Sequence, residues 1–136
     1  MMPDLRRITT SLSYSGVIRI SITTLELLGY PKDLLLLINE KMHKIAYEPC
    51  SEKDKRKINI KYSDSTINNG RIINSYRFTK KVFQIEGWDT KYRYQIPGKY
   101  IEDKKVVVFN LKEAHPVKNN TYSDDEDEDL LYDINI

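Results

Sequence analysis

Ile18-Arg19-Ile20-Ser21-Ile22-Thr23-Thr24-Leu25-Glu26-Leu27-Leu28-Gly29-Tyr30 is followed, 58 positions later, by Tyr76-Arg77-Phe78-Thr79-Lys80-Lys81-Val82-Phe83-Gln84-Ile85-Glu86-Gly87-Trp88. Only the arginine and the glycine are identical. Six further pairs keep chemistry and size: Ile20/Phe78, Ser21/Thr79, Leu25/Phe83, Glu26/Gln84, Leu27/Ile85 and Tyr30/Trp88. Self-similarity at a fixed spacing implies one supersecondary unit used twice.

Working outward, each copy reads as strand, short helix, strand, strand. In the first, Val17, Ile18 and Ile20 form a short strand. Ser21 or Thr23 caps a helix, and Thr23 with Glu26 fits a capping box. Gly29 ends the helix and Pro31 prevents its continuation. Leu34 to Ile38 make an apolar strand. Lys44-Ile45-Ala46-Tyr47 returns as its hairpin partner, and Pro49 closes the unit. In the second copy, Tyr76 to Thr79 is expected as the strand and Lys80 to Glu86 as the helix, stopped by Gly87. Tyr92 to Ile96 is the next strand, in register with Leu34 to Ile38. Pro97-Gly98 then turns the chain, and Val106 to Phe109 returns across a loop three residues longer than the first.

The expected fold is therefore α+β, mostly β: two strand-helix-strand-strand units forming a pseudo-two-fold small barrel or sheet. The expected segments are residues 1–50 (first unit), 51–73 (basic linker), 74–117 (second unit) and 118–136 (acidic tail). Lys57-Ile58-Asn59-Ile60-Lys61-Tyr62 alternates like an edge strand. The tail, rich in acids, is expected to be disordered.

A chain of 136 residues, 40% hydrophobic, can bury one core. No apolar run approaches the ~20 residues of a membrane span. The start, Met1-Met2-Pro3-Asp4-Leu5-Arg6-Arg7, lacks the apolar stretch of a signal peptide. The single cysteine, Cys50, rules out an internal disulfide, and a reducing cytoplasm is expected. The net charge of +2 conceals a division. Seven acids fall within residues 124–133, so residues 1–120 carry 22 bases against 13 acids. The body is basic and the end acidic.

Strand, short helix and hairpin, with a basic first strand and a glycine ending the helix, resemble the AbrB, SpoVT and MazE group of swapped-hairpin DNA-binding domains. The matching residues are Gly16-Val17-Ile18-Arg19-Ile20-Ser21, Leu25, Leu27-Leu28-Gly29, Asp33, Leu34 to Ile38 and Lys44-Ile45-Ala46-Tyr47-Glu48-Pro49. They span residues 14 to 50, with a weaker echo at 74 to 111. Ser21 stands where the family usually has proline, and Lys32-Asp33 where it usually has glycine-aspartate. The resemblance implies two interleaved units making a small barrel, with basic residues near the first strand meeting DNA. A tandem copy implies a pseudo-dimeric monomer, although a homodimer remains open. The layout is also similar to small proteins of low-GC Gram-positive bacteria and their phages.

No Walker loop, dinucleotide fingerprint or metal-ligand spacing occurs. No cofactor is expected. His43 and His115 read as exposed turn residues, and Cys50 as an edge or buried thiol rather than a nucleophile. Phosphate binding needs cations gathered on one face. Arg19 and Arg77, aligned in the two copies, are the first candidates, with internal salt bridges to Glu26 or another carboxylate as the competing role. Arg6, Arg7, Lys53, Lys55, Arg56, Lys57, Lys80 and Lys81 could extend the patch, or could be ordinary solvated faces. Tyr30 and Trp88 either plug the core beside each helix or stack on bases.

The leading function is a non-catalytic DNA-binding protein, a small transcriptional regulator from a bacterium, phage or mobile element. The alternative is a protein-binding module or phage-type inhibitor. There, Asp124, Asp125, Glu126, Asp127, Glu128 and Asp129 mimic nucleic acid, and Leu130, Leu131 and Tyr132 dock a protein partner. Truncation separates the two. Deleting residues 121–136 leaves DNA affinity equal or higher for a DNA binder, measured by anisotropy with labelled duplex. The same deletion abolishes partner binding for the inhibitor.

Overall fold

The computed structural model describes residues 7–62 and 70–118. The fold is mostly β. The elements are β1 (Thr9–Leu12), β2 (Val17–Ile20), α1 (Ile22–Leu27), β3 (Asp33–Asn39), β4 (Lys44–Pro49), β5 (Ile58–Asn59), β6 (Arg71–Asn74), α2 (Tyr76–Glu86), β7 (Tyr92–Ile101), β8 (Val106–Asn110) and β9 (His115–Lys118). They form an antiparallel sheet in the order β5-β3-β4-β8-β7-β1-β2-β6, with β9 paired to β7. The sheet curls into a nearly closed barrel. Between its end strands, Arg71 Nε donates to the Lys61 carbonyl at 2.9 Å, and its guanidinium lies over the Tyr62 ring.

Local chemistry sets each helix. Ser21 is extended, and its Oγ accepts the Thr24 amide, which makes it the N-cap of α1. Ser75 caps α2 in the same way through the Phe78 amide. Thr23 and Glu26 therefore do not start a helix, contrary to the capping-box expectation. Gly29 sits at φ 82°. Its amide bonds the Glu26 carbonyl and the Tyr30 amide bonds the Leu25 carbonyl, a double bond pattern that a left-handed residue permits. Gly87 (φ 65°) closes α2, with the Trp88 amide on the Phe83 carbonyl.

The expected register of the second unit needs three corrections. Tyr76 to Thr79 is helix, not strand. Once Ser75 caps the chain, Phe78, Thr79, Val82 and Phe83 fall on one buried helical face, and three alternating residues cannot outweigh that. The strand before it is β6, in the segment read as linker. The two N-cap serines lie 54 positions apart and the two helix-ending glycines 58 apart, so α2 gains about one turn. Second, Pro97-Gly98 does not turn the chain. β7 runs through it to Ile101. Third, the hairpin loops are equal. Asn39 pairs Lys44 and Ile101 pairs Val106, each across four residues. The hairpins thus correspond at a spacing of 62, and Leu34 aligns with Ile96 rather than Tyr92. β1 was not anticipated, and of the segment Lys57 to Tyr62 expected as an edge strand only Ile58–Asn59 pairs, with β3 at one end of the sheet order.

β7 belongs to two parts of the sheet. Its residues 94–97 pair β1, and its residues 98–101 pair β8. At the changeover, a Cβ on Gly98 would lie 2.5 Å from the Phe109 ring. The core under this crossing includes Leu12, Ile18, Leu25, Leu34, Ile45, Tyr47, Ile96, Val107 and Phe109, all fully buried or nearly so. The Tyr47 and Phe109 rings meet at 4.8 Å. Thr10 Oγ1 donates to the Arg19 carbonyl, so the buried Tyr47 hydroxyl donates to Thr10 at 2.7 Å. No helix among the described residues is long and apolar enough to cross a membrane.

Replacing Gly98 with alanine forces the Phe109 ring or the strand to move. A loss of about 1–3 kcal/mol is expected by denaturant melts, as for other overpacked cores. Burial also pushes the Tyr62 hydroxyl up to about 12 from its usual 10, and raises Tyr47 too. Both are held protonated in the fold. Their stabilising contribution is present below pH 10 and is lost as pH rises toward 12. Urea melts at pH 9 and 11 check this, and Tyr62→Phe is expected to flatten the decline.

Candidate functional site: two basic grooves

The expected basic patch divides between two faces. The first groove lies where α2 packs beside β3 and the chain segment leading into β5. Lys55, Arg56 and Lys57 come from that segment, and Arg77 and Lys81 from the outer side of α2. Leu36, Ile38, Ile58 and Phe78 line the same groove, which encloses about 690 Å³. All five cations are exposed. Two carboxylates touch the cluster. Arg56 holds Asp54 at 3.1 Å and keeps its carboxyl below the usual range through the hydrogen bond. Lys81 lies 3.6 Å from Glu40. Arg77 and the capped first turn of α2 bring positive charge together with the positive end of the helix dipole.

The second groove, about 480 Å³, lies on the outer face of the sheet made by β7, β1, β2 and β6. Register decides its make-up. Ile72 is opposite Arg19, Arg19 opposite Ser11, and Ser11 opposite Gln95, giving one row across four strands. Arg93, two residues before Gln95, faces the same way, and its Nη1 lies 3.3 Å from Ser11 Oγ. Thr9 and Ser21 add hydroxyls along one side. Among the described residues its lining contains no carboxylate.

Arg19 and Arg77 are therefore not an equivalent pair. Arg19 stands on a strand in the second groove, and Arg77 on a helix in the first. Among the described residues neither forms an ion pair, Glu26 included. Lys53 is exposed outside the lining of either groove. Lys80 lies over the Tyr76 ring at 5.6 Å. Arg7 is exposed beside a third cavity, shared with Thr23, Leu27, Gly98 and His115. Arg6 lies outside the described residues, as do Asp124 to Asp129, Leu130, Leu131 and Tyr132.

Arg93 and Gln95 were missed because Tyr92 to Ile96 was read only as a strand of the second unit, without asking which of its residues face outward. Its alternation (Tyr94 and Ile96 buried, Arg93 and Gln95 between them) held the signal. Tyr30 and Trp88 also part company. Trp88 stacks on Tyr94 at 4.2 Å and meets Phe83 edge-on, packed against the core. Tyr30 is 40% exposed and touches Tyr62.

His43 departs from its reading as a free turn residue. At φ 56° on the first hairpin turn, its Nδ1 bonds Glu86, whose side chain is only 3% exposed, and Lys112 approaches the same carboxylate at 3.6 Å. This pins the last turn of α2 to the first hairpin turn and to the short turn Leu111–Glu113 that follows β8. Burial, then the carboxylates of Asp54 and Asp33, raise the Cys50 thiol, which disfavours the thiolate a nucleophile needs. Among the described residues no three His, Cys, Asp or Glu side chains gather as a metal site requires. No family model, curated protein or solved structure matches this chain.

Proposed function

We propose that this chain is a non-catalytic DNA-binding protein, a small transcriptional regulator built as a tandem swapped-hairpin domain of the AbrB, SpoVT and MazE type. The observation that carries the binding reading is the first groove. Lys55, Arg56 and Lys57 meet Arg77 and Lys81, although some twenty residues separate the two runs. A row of cations beside a helix N-terminus offers phosphates both charge and amide donors. The groove is open, as a duplex backbone needs, and no reactive constellation accompanies it among the described residues.

The tandem reading draws on the strand order. Exchanging β1 with β5, β2 with β6, β3 with β7 and β4 with β8 leaves that order unchanged when it is read as a ring closed between β6 and β5. A duplicated unit that completes its own barrel has this property. The halves differ in charge. The cavity formed by α1 and β7, where the other half forms its basic groove from α2 and β3, has Arg7 as its one Arg or Lys among the described residues. One face of the pseudo-dimer therefore carries the phosphate contacts.

Combined Lys55→Ala, Lys57→Ala, Arg77→Ala and Lys81→Ala substitutions test the reading, since all four side chains are exposed and folding is spared. Affinity for labelled duplex DNA is measured across a salt series. The slope of log K against log salt is expected to fall by about 3–4 in the variant. An unchanged slope, or wild-type binding that is absent at moderate salt, refutes it.

A further inference from the structure

We propose that the second groove is a separate site for a phosphomonoester of mononucleotide size. The phosphate lies between Arg19 and Arg93, and the organic part lies toward Ile72. This goes beyond DNA binding and does not depend on it.

Register supplies the argument. Arg19 and Arg93 stand on β2 and β7, with β1 between them, so about 10 Å of sheet separates their strands. The strand between contributes Ser11 at the point both arginines flank: it is the cross-strand partner of one and lies within 3.3 Å of the other. A small residue there keeps the floor low, and Ser11 is only 4% exposed beneath the two long side chains. Two guanidinium forks over a serine match a phosphate dianion, which accepts several charge-assisted hydrogen bonds. Gln95 continues the row with a further donor.

Composition and shape narrow the ligand. The described residues of the lining carry arginines, hydroxyls and an amide and no carboxylate, which suits an anion rather than a metal ion or a cationic ligand. A volume near 480 Å³ falls within the range of small-molecule sites. At one end of the row, Ile72 is 54% exposed, a large apolar side chain held in solvent beside Arg19. It offers a platform for a base or other flat group, whereas the opposite end is polar. The first groove differs: its cations are mostly lysines and its carboxylates sit among them.

Two-dimensional NMR of the full chain, titrated with inorganic phosphate, adenosine monophosphate and adenosine, tests this. Both phosphates are expected to shift the Ser11, Arg19, Arg93 and Gln95 signals saturably, with the mononucleotide the tighter, and adenosine is expected to shift none. Arg19→Gln, at an exposed position, is expected to weaken the mononucleotide about tenfold or more, the scale of a lost charge-assisted contact. Lys55→Ala with Lys57→Ala is expected to leave it unchanged. Non-saturating shifts, equal response to adenosine, equal affinity for the two phosphates, or equal loss in the lysine variant overturns the proposal. DNA binding that survives Arg19→Gln while the mononucleotide is lost separates this site from the first groove.

Discussion

The crossing of β7 over Phe109 is the constraint on which the barrel depends. Up to Pro97 the strand pairs β1, and from Gly98 onward it pairs β8. A strand can change partners without breaking only where its backbone bends, and the ring of Phe109 fills the space where any side chain on residue 98 would sit. Pro97, which has no amide to donate, stands at the changeover where the ladder is interrupted. The Gly98 amide then bonds the Ile8 carbonyl, so the crossing is held from both sides. Without it the chain would form two separate sheets, each with an exposed apolar face.

Both grooves follow from this curvature. Closing the sheet directs one side of every strand at the core, and the alternate residues face outward. Inward-facing Thr10, Leu12, Ile18, Ile20, Tyr94 and Ile96 are buried, while Arg19, Arg93 and Gln95 remain on the outer surface. The first groove forms at the barrel's other side, where α2 lies beside β3. The His43–Glu86–Lys112 cluster fixes the far end of that helix. A carboxylate so little exposed is worth having only when paired, and removing a partner leaves a costly buried charge. The orientation of Arg77 and Lys81 therefore rests partly on an ion pair at the opposite end of α2.

The two grooves differ in the kind of anion they suit. Lysines on a loop and a helix are compact point charges on flexible stems, adapted to a polyanion of variable shape. Arginines on two rigid strands that flank β1 have fixed forks and suit a single planar or tetrahedral group. Taken together, the two proposals give the chain one surface for a nucleic acid and a second for a small phosphate ester.

The sequence by itself determined the elements whose signals are local. Ser21, Gly29 and Gly87 mark helix ends through hydrogen bonds to their near neighbours, and the hairpin strands appear as apolar runs. The basic runs at 53–57 and 80–81 and the acidic end were also legible, because charge needs no fold to be counted. Tertiary structure alone decided the rest. Tyr76-Arg77-Phe78 alternates like a strand until a distant core offers a buried face for Phe78. Pro97-Gly98 reads as a turn until Phe109 occupies the space beside it. Arg19 and Arg77 align in sequence yet stand in different grooves, because α2 is one turn longer and the aligned offset is not the structural one. Arg93 joined Arg19 only through strand register, a relation between residues 74 positions apart that no local pattern encodes.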